Sequence, residues 1–232
     1  MSEHAYPADA GRRGWRSEQA SPFTPLAVAG ALVVALAAIW VIAELVPAAH
    51  LKDAVALNEF AMLSRPGLDS AANFMLHLLD PRVFVLWGIA IVSIAIAREQ
   101  PRTAVAVAVV LVFAPLSAHL LKPLLAHSHD QVGYVHIGAA SWPSGHSTAA
   151  AAIAMCAVLV SPARLRPVVA AIGTAFWLAI GFSLLMLGWH MPSDVLGGSL
   201  VAGLWVALAV AALRAYQRVH PSPAPGEAER VG

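Results

Sequence analysis

Long apolar runs separated by short polar connections set the pattern of this chain. They lie at residues 25–46, 83–97, 103–121, 144–160, 168–187 and 195–213. A helix needs about 20 apolar residues to cross a bilayer, and shorter runs suffice when flanking groups snorkel to the interface. The pattern therefore predicts an all-α protein, a bundle of six transmembrane helices. Arg82 and Arg98 bracket the short second run as interface anchors would, and no Asp, Glu, Lys or Arg falls between Asp130 and Arg164, around the equally short fourth. The first run is too long for a cleavable signal peptide and reads as a signal anchor.

Between the first two runs, Leu68, Ala72, Met75, Leu76 and Leu79 recur at helical spacing after the breaker Pro66-Gly67. This predicts an interfacial helical segment that covers the bundle or guides a lipid. The chain divides into a tail at 1–21, a membrane domain at 22–213 and a second tail at 214–232. Residues 1–21 and 221–232 are polar and rich in Pro, Gly, Ala and charge, so disorder is expected there. Cytoplasmic loops are enriched in Lys and Arg. With both termini inside, the inner segments hold Arg12, Arg13, Arg16, Arg98, Arg102, Arg164, Arg166, Arg214, Arg218 and Arg230, against Lys52, Arg65, Arg82 and Lys122 outside. The expected orientation is N-in and C-in, which leaves segments 50–82, 122–143 and 188–194 on the outer side.

Composition agrees with a membrane protein. Of 232 residues 59% are hydrophobic and 12% charged, and mean hydropathy is +0.72, whereas about a quarter of the residues of a soluble domain are charged. A net charge of +1 provides no basic surface for nucleic acid, so no nucleic-acid partner is expected. The single cysteine, Cys156, excludes an internal disulfide and a multi-cysteine zinc site. The arginine- and alanine-rich usage is in keeping with a bacterial plasma membrane.

Chemistry concentrates in two stretches, Ser141-Trp142-Pro143-Ser144-Gly145-His146-Ser147 and Gly188-Trp189-His190-Met191-Pro192-Ser193-Asp194. The distribution of Lys and Arg, independent of these stretches, puts both on the outer side, together with Lys122 at the end of the third run. At the start of the fourth run, around Ser144 and Gly145, free backbone N–H groups and the positive end of a helix dipole are available to an anion such as phosphate. Lys122 adds a fixed positive charge. Asp194, four residues after His190, can accept one ring N–H and leave the other nitrogen free to attack. His146 is then a second imidazole, able to protonate a leaving oxygen. The same residues have plainer readings: His190 with Asp194 as a structural pair, Ser144 as a helix cap, Lys122 as a snorkelling anchor. His119, His127, His129, His136, His146 and His190 show no zinc-enzyme spacing, so neither metal nor cofactor is expected.

The stretches Pro143-Ser144-Gly145-His146 and Gly188-Trp189-His190-Met191-Pro192-Ser193-Asp194-Val195-Leu196-Gly197-Gly198 resemble the second and third signature motifs of the type 2 phosphatidic acid phosphatase superfamily. Its members are integral-membrane lipid phosphate phosphatases with six helices and an outward-facing site. The resemblance implies that His190 is a nucleophile forming a phosphohistidine, Asp194 its orienting partner and His146 the acid and later the base. Lys122 and the amides around Ser144 and Gly145 would hold the phosphoryl oxygens, without a metal. The substrate implied is a lipid or polyprenyl phosphate in the bilayer. Two arginines of the family pattern are replaced: Lys122 is followed at the motif spacing by His129-Asp130, and Ser183 by Leu184. A protonated His129, favoured by Asp130, would supply the first missing charge, and activity would then favour acidic conditions. The rival reading is a non-catalytic member that binds lipid phosphates or scaffolds a complex on the same fold.

Overall fold

The computed structural model describes residues 23–128, 133 and 135–220. They form eight helices: α1 (Phe23–Leu45), α2 (Pro47–Ala61), α3 (Pro66–His77), α4 (Pro81–Ala97), α5 (Pro101–Leu124), α6 (Gly145–Val160), α7 (Arg166–Met186) and α8 (Pro192–Val219). Each of the six apolar runs folds as a helix, and no strand occurs among the described residues. Proline opens α2, α3, α4, α5 and α8. Its fixed φ suits the first helical position, where the missing N–H would have had no partner. The two tails, residues 1–21 and 221–232, lie outside the described residues.

α6 sits at the centre, packed against α5, α7 and α8, while α1 lies along α8. Small residues make this close packing possible: Ala114 and Ala118 of α5, Ala150 and Ala152 of α6 and Ala202 of α8 are wholly buried. Where lipid gives helices no hydrophobic drive to associate, such residues let backbones approach and gain dispersion contacts. Large apolar side chains face outward instead, among them Val34, Leu86, Ile96, Val105 and Ile172, as expected of a bundle whose solvent is hydrocarbon. Four helices (α1, α5, α7 and α8) are long and apolar enough to cross a membrane, and α3 with α4 forms a fifth candidate bent by 55°. α6, with 16 residues, spans about 24 Å at 1.5 Å per residue.

Three features differ from the sequence expectation. The segment between the first two runs contains two helices, of which only α3 is visible in the hydrophobic pattern. α3 packs on α7, burying Ala72 and Leu76, with Leu79 just beyond its end, but Leu68 is exposed. α2 buries His50, Ala54 and Leu57; its alanines are spread round the helix among Lys52, Asp53 and Glu59, which hides the stripe. Finally, α8 continues through residues 214–219 into what reads as the C-terminal tail. There the Arg102 guanidinium lies 4.0 Å from the Tyr216 ring centroid, and Tyr216 stacks on His220, side-chain contacts that extend the helix without adding hydrophobicity.

Candidate active site

The turn between α7 and α8 explains how His190 is held. Gly188 adopts φ +68°; its N–H donates to Leu185 O at 3.1 Å and the Trp189 N–H to Leu184 O at 2.9 Å. This is the paired bonding of a Schellman motif, and the left-handed residue it requires is the glycine. The chain then re-enters a helix at Pro192. Asp194, wholly buried, accepts the Met191 N–H at 3.0 Å and lies 3.0 Å from His190 Nδ1 through the same Oδ2. Because a carboxylate accepts, the proton resides on Nδ1, and the Nε2 lone pair is left for chemistry. One aspartate thus caps α8 and sets the tautomer of the histidine beside it.

The start of α6 is built differently. Ser144 caps it: the Oγ accepts the Ser147 N–H at 3.3 Å, the carbonyl accepts Thr148 Oγ1–H at 2.8 Å, and the Ser144 N–H donates to Asp194 O at 3.0 Å. The Ser147 hydroxyl donates to Val195 O at 2.6 Å and accepts from Trp177 Nε1–H at 3.0 Å. These bonds weld the first turn of α6 to the first turn of α8. Gly198 makes the contact possible, since a Cβ there would fall 2.4 Å from Ser144 O.

Ser144 is completely enclosed, with its N–H and Oγ both committed. Its place is the capping one, and the first-turn amides that remain for an anion are those of Gly145 and His146. A Cβ on Gly145 would meet nothing within 4 Å, so the backbone there is open to an approaching group.

Lys122, His146 and His190, far apart in sequence, line one pocket of about 510 Å³, which also takes in His136, Ser141 and Trp189. A second, more apolar hollow of about 430 Å³ shares Lys122 and His146 and runs past Gly145, His119, Pro115 and Phe84 to Leu79 and Pro81. The Trp189 ring meets the His146 ring edge-on, 5.9 Å between centroids. Of the remaining expected residues, His129 lies outside the described residues. Leu184 is wholly buried in the hydrophobic core, so its position contributes no cation to the pocket. Among the described residues, no three His, Cys, Asp or Glu side chains are grouped to hold a metal ion.

The sequence gives His136, Trp189 and Ser193 no role of their own, although His136 belongs to the histidine group and Trp189 and Ser193 to the motif, and it gives no sign of Asp53. Asp53 donates nothing to a pattern, but its carboxylate accepts from Ser193 Oγ–H at 2.5 Å.

Comparison with known proteins follows the same lines. The profile of the PAP2 superfamily matches residues 102–218. Proteins described as lipid A 1-phosphatase from Rhizobium johnstonii and Rhizobium etli are each 39% identical over 111 residues, 43% of this chain. The match spans 43% of the first and 45% of the second, less than half of either relative. The crystal structure of a transmembrane PAP2 type phosphatidylglycerolphosphate phosphatase from Bacillus subtilis superposes with a TM-score of 0.65 at 21% identity, covering 85% of this chain and 98% of that one. This last similarity is one of fold.

Proposed function

Since the chain belongs to the PAP2 superfamily, we propose that it is an integral-membrane enzyme that removes a phosphate from a lipid or polyprenyl phosphate through a phosphohistidine. The observation that carries this reading is the sharing of one pocket by Lys122, His146 and His190, with His190 hydrogen-bonded to Asp194.

In the proposed reaction the His190 Nε2 lone pair attacks phosphorus as the P–O bond to the lipid breaks. His146 gives its proton to the departing oxygen. A water then attacks the phosphohistidine, His146 takes the water's proton, and inorganic phosphate leaves His190 unmodified. Lys122 and the amides of Gly145 and His146 hold the non-bridging oxygens at the positive end of α6. His129 stands as the proposed replacement for one arginine of the family pattern. No step calls for a metal. The curated relatives are named for lipid A, so a phosphorylated glycolipid belongs beside phosphatidic acid, phosphatidylglycerol phosphate and polyprenyl phosphates as a substrate class.

The proposed topology has six spans, α1 and α4 through α8, with both termini in the cytoplasm and the pocket on the extracytoplasmic side. The basic residues support it: Arg98 and Arg164 lie in the connections at the end opposite the pocket, and Arg102 and Arg166 in the first turns of α5 and α7 beside them.

The test is release of inorganic phosphate by the purified protein in detergent, in the presence of a chelator, from that substrate panel. A non-catalytic lipid-phosphate-binding member is favoured by one observation, the apolar burial of Leu184 where the family pattern has arginine. It would bind these lipids without releasing phosphate.

Lys122→Met keeps the length of the side chain and removes its charge. A charge-assisted hydrogen bond is worth about 1.5–3 kcal/mol, so kcat/KM should fall roughly 10- to 150-fold at tenfold per 1.4 kcal/mol. An unchanged kcat/KM would assign Lys122 to the interface alone.

A further inference from the structure

A helix start ordinarily takes its cap from the side chain of the N-cap residue. α8 has Met191 there, and its first turn is held by two carboxylates instead. Asp194 takes the Met191 N–H. Asp53, on α2 and 140 residues away, takes both hydrogens of Ser193: Oγ–H at 2.5 Å and N–H at 3.3 and 3.4 Å to its two oxygens. Burial pushes the Asp53 carboxyl above the usual carboxylate range; the two Ser193 hydrogen bonds oppose this, while the nearby Asp194 adds to it. Holding a second carboxylate there carries a desolvation cost that a simple surface tether would not incur.

α2 is firmly seated. Leu57 is buried, and the Phe60 ring packs edge-on against Phe182 of α7, 6.0 Å between centroids. Asp53 is thus anchored on a helix that contacts both α7 and α8, the two elements whose junction carries His190.

We propose that Asp53 is a positioning residue for the His190–Asp194 pair, fixing the first turn of α8 from outside that helix by accepting both Ser193 hydrogens. The proposal rests on the reading of His190 as nucleophile. Asp194 follows Ser193 directly, so a loosened first turn displaces the carboxylate that aims the imidazole. Misplacement by about 1 Å costs on the order of 10²-fold in rate. Neither Lys122 nor Gly145 bonds to Asp53 or Ser193, and α6 is joined to α8 by bonds of its own, from Ser144 N–H to Asp194 O and from Ser147 Oγ–H to Val195 O, so KM is expected to change far less than kcat.

The experiment compares wild type with Asp53→Leu, Asp53→Asn and Ser193→Ala, as full chains in detergent, by steady-state kinetics and by hydrogen exchange of residues 188–196. Asp53→Leu is expected to lower kcat by about 10²-fold with KM within about twofold, and to speed exchange in that segment. Asp53→Asn, which keeps an acceptor without the charge, restores most of the rate. Should Asp53→Leu fail to fold, Ser193→Ala carries the same test through a smaller fall in kcat. The proposal is overturned if kcat and exchange are unchanged in Asp53→Leu, if the loss lies in KM, or if asparagine rescues nothing. Absence of any His190-dependent activity in wild type would sink the catalytic reading instead. Exchange then decides the clasp by itself: unchanged protection in Asp53→Leu removes it.

Discussion

Replacing His190 by alanine should abolish phosphate release while leaving the fold in place. The side chain sits in a turn fixed by backbone bonds from Gly188 and Trp189, so its loss removes the ring and one hydrogen bond to Asp194 without unseating a helix. Removing a covalent nucleophile from a site whose groups act as a unit lowers kcat by on the order of 10⁴-fold or more. What remains is whatever Lys122 and the α6 amides contribute to a direct attack by water. His190→Ala should still bind vanadate or a lipid phosphate, though more weakly, because those groups are untouched. Wild type incubated with a ³²P-labelled substrate and quenched in alkaline denaturant should carry label on a base-stable, acid-labile adduct, and the variant none. Equal phosphate release by the two proteins would end the phosphohistidine reading.

The second large effect is structural. Gly198→Val puts a branched side chain where a Cβ already falls 2.4 Å from Ser144 O and 3.0 Å from both Thr148 N and Ser147 Cβ. Two of these atoms are backbone in the first turn of α6, which no rotamer change can move aside. The carbonyl is also in use, accepting from the Thr148 N–H and hydroxyl. α6 must therefore separate from α8, breaking the bonds from Ser144 N–H to Asp194 O and from the Ser147 hydroxyl to Val195 O. Overpacking typically costs about 1–3 kcal/mol, and more where nothing can yield; the upper end is expected here. The apparent melting midpoint in detergent should drop, and turnover should fall with it as His146 and His190 move apart. Gly30→Ala is the control. A Cβ there meets nothing within 4 Å, and its midpoint should stay close to wild type. If Gly198→Val melts with Gly30→Ala, the two helix starts are not in the contact described.

Both predictions depend on residues of the second motif meeting residues of the third, and the two kinds of information divide there. Hydrophobic period and uncharged length are local properties of a chain in lipid, where each helix satisfies its own backbone bonds before it packs. For that reason the sequence alone determined the six apolar helices, the amphipathic α3 after Pro66-Gly67 and the pairing of His190 with Asp194, which are four residues apart. α2 escaped because its alanines give no stripe, and the helical residues 214–219 because they are held by side-chain contacts to Arg102 and to one another. Only the tertiary structure decided that Ser144 is enclosed as a cap, that Leu184 belongs to the core, that Lys122 and His146 open onto the pocket of His190, and that Asp53 reaches Ser193 across 140 residues. Such contacts depend on how helices are rotated and how closely small residues let them approach, and neither is written in the period of any one segment.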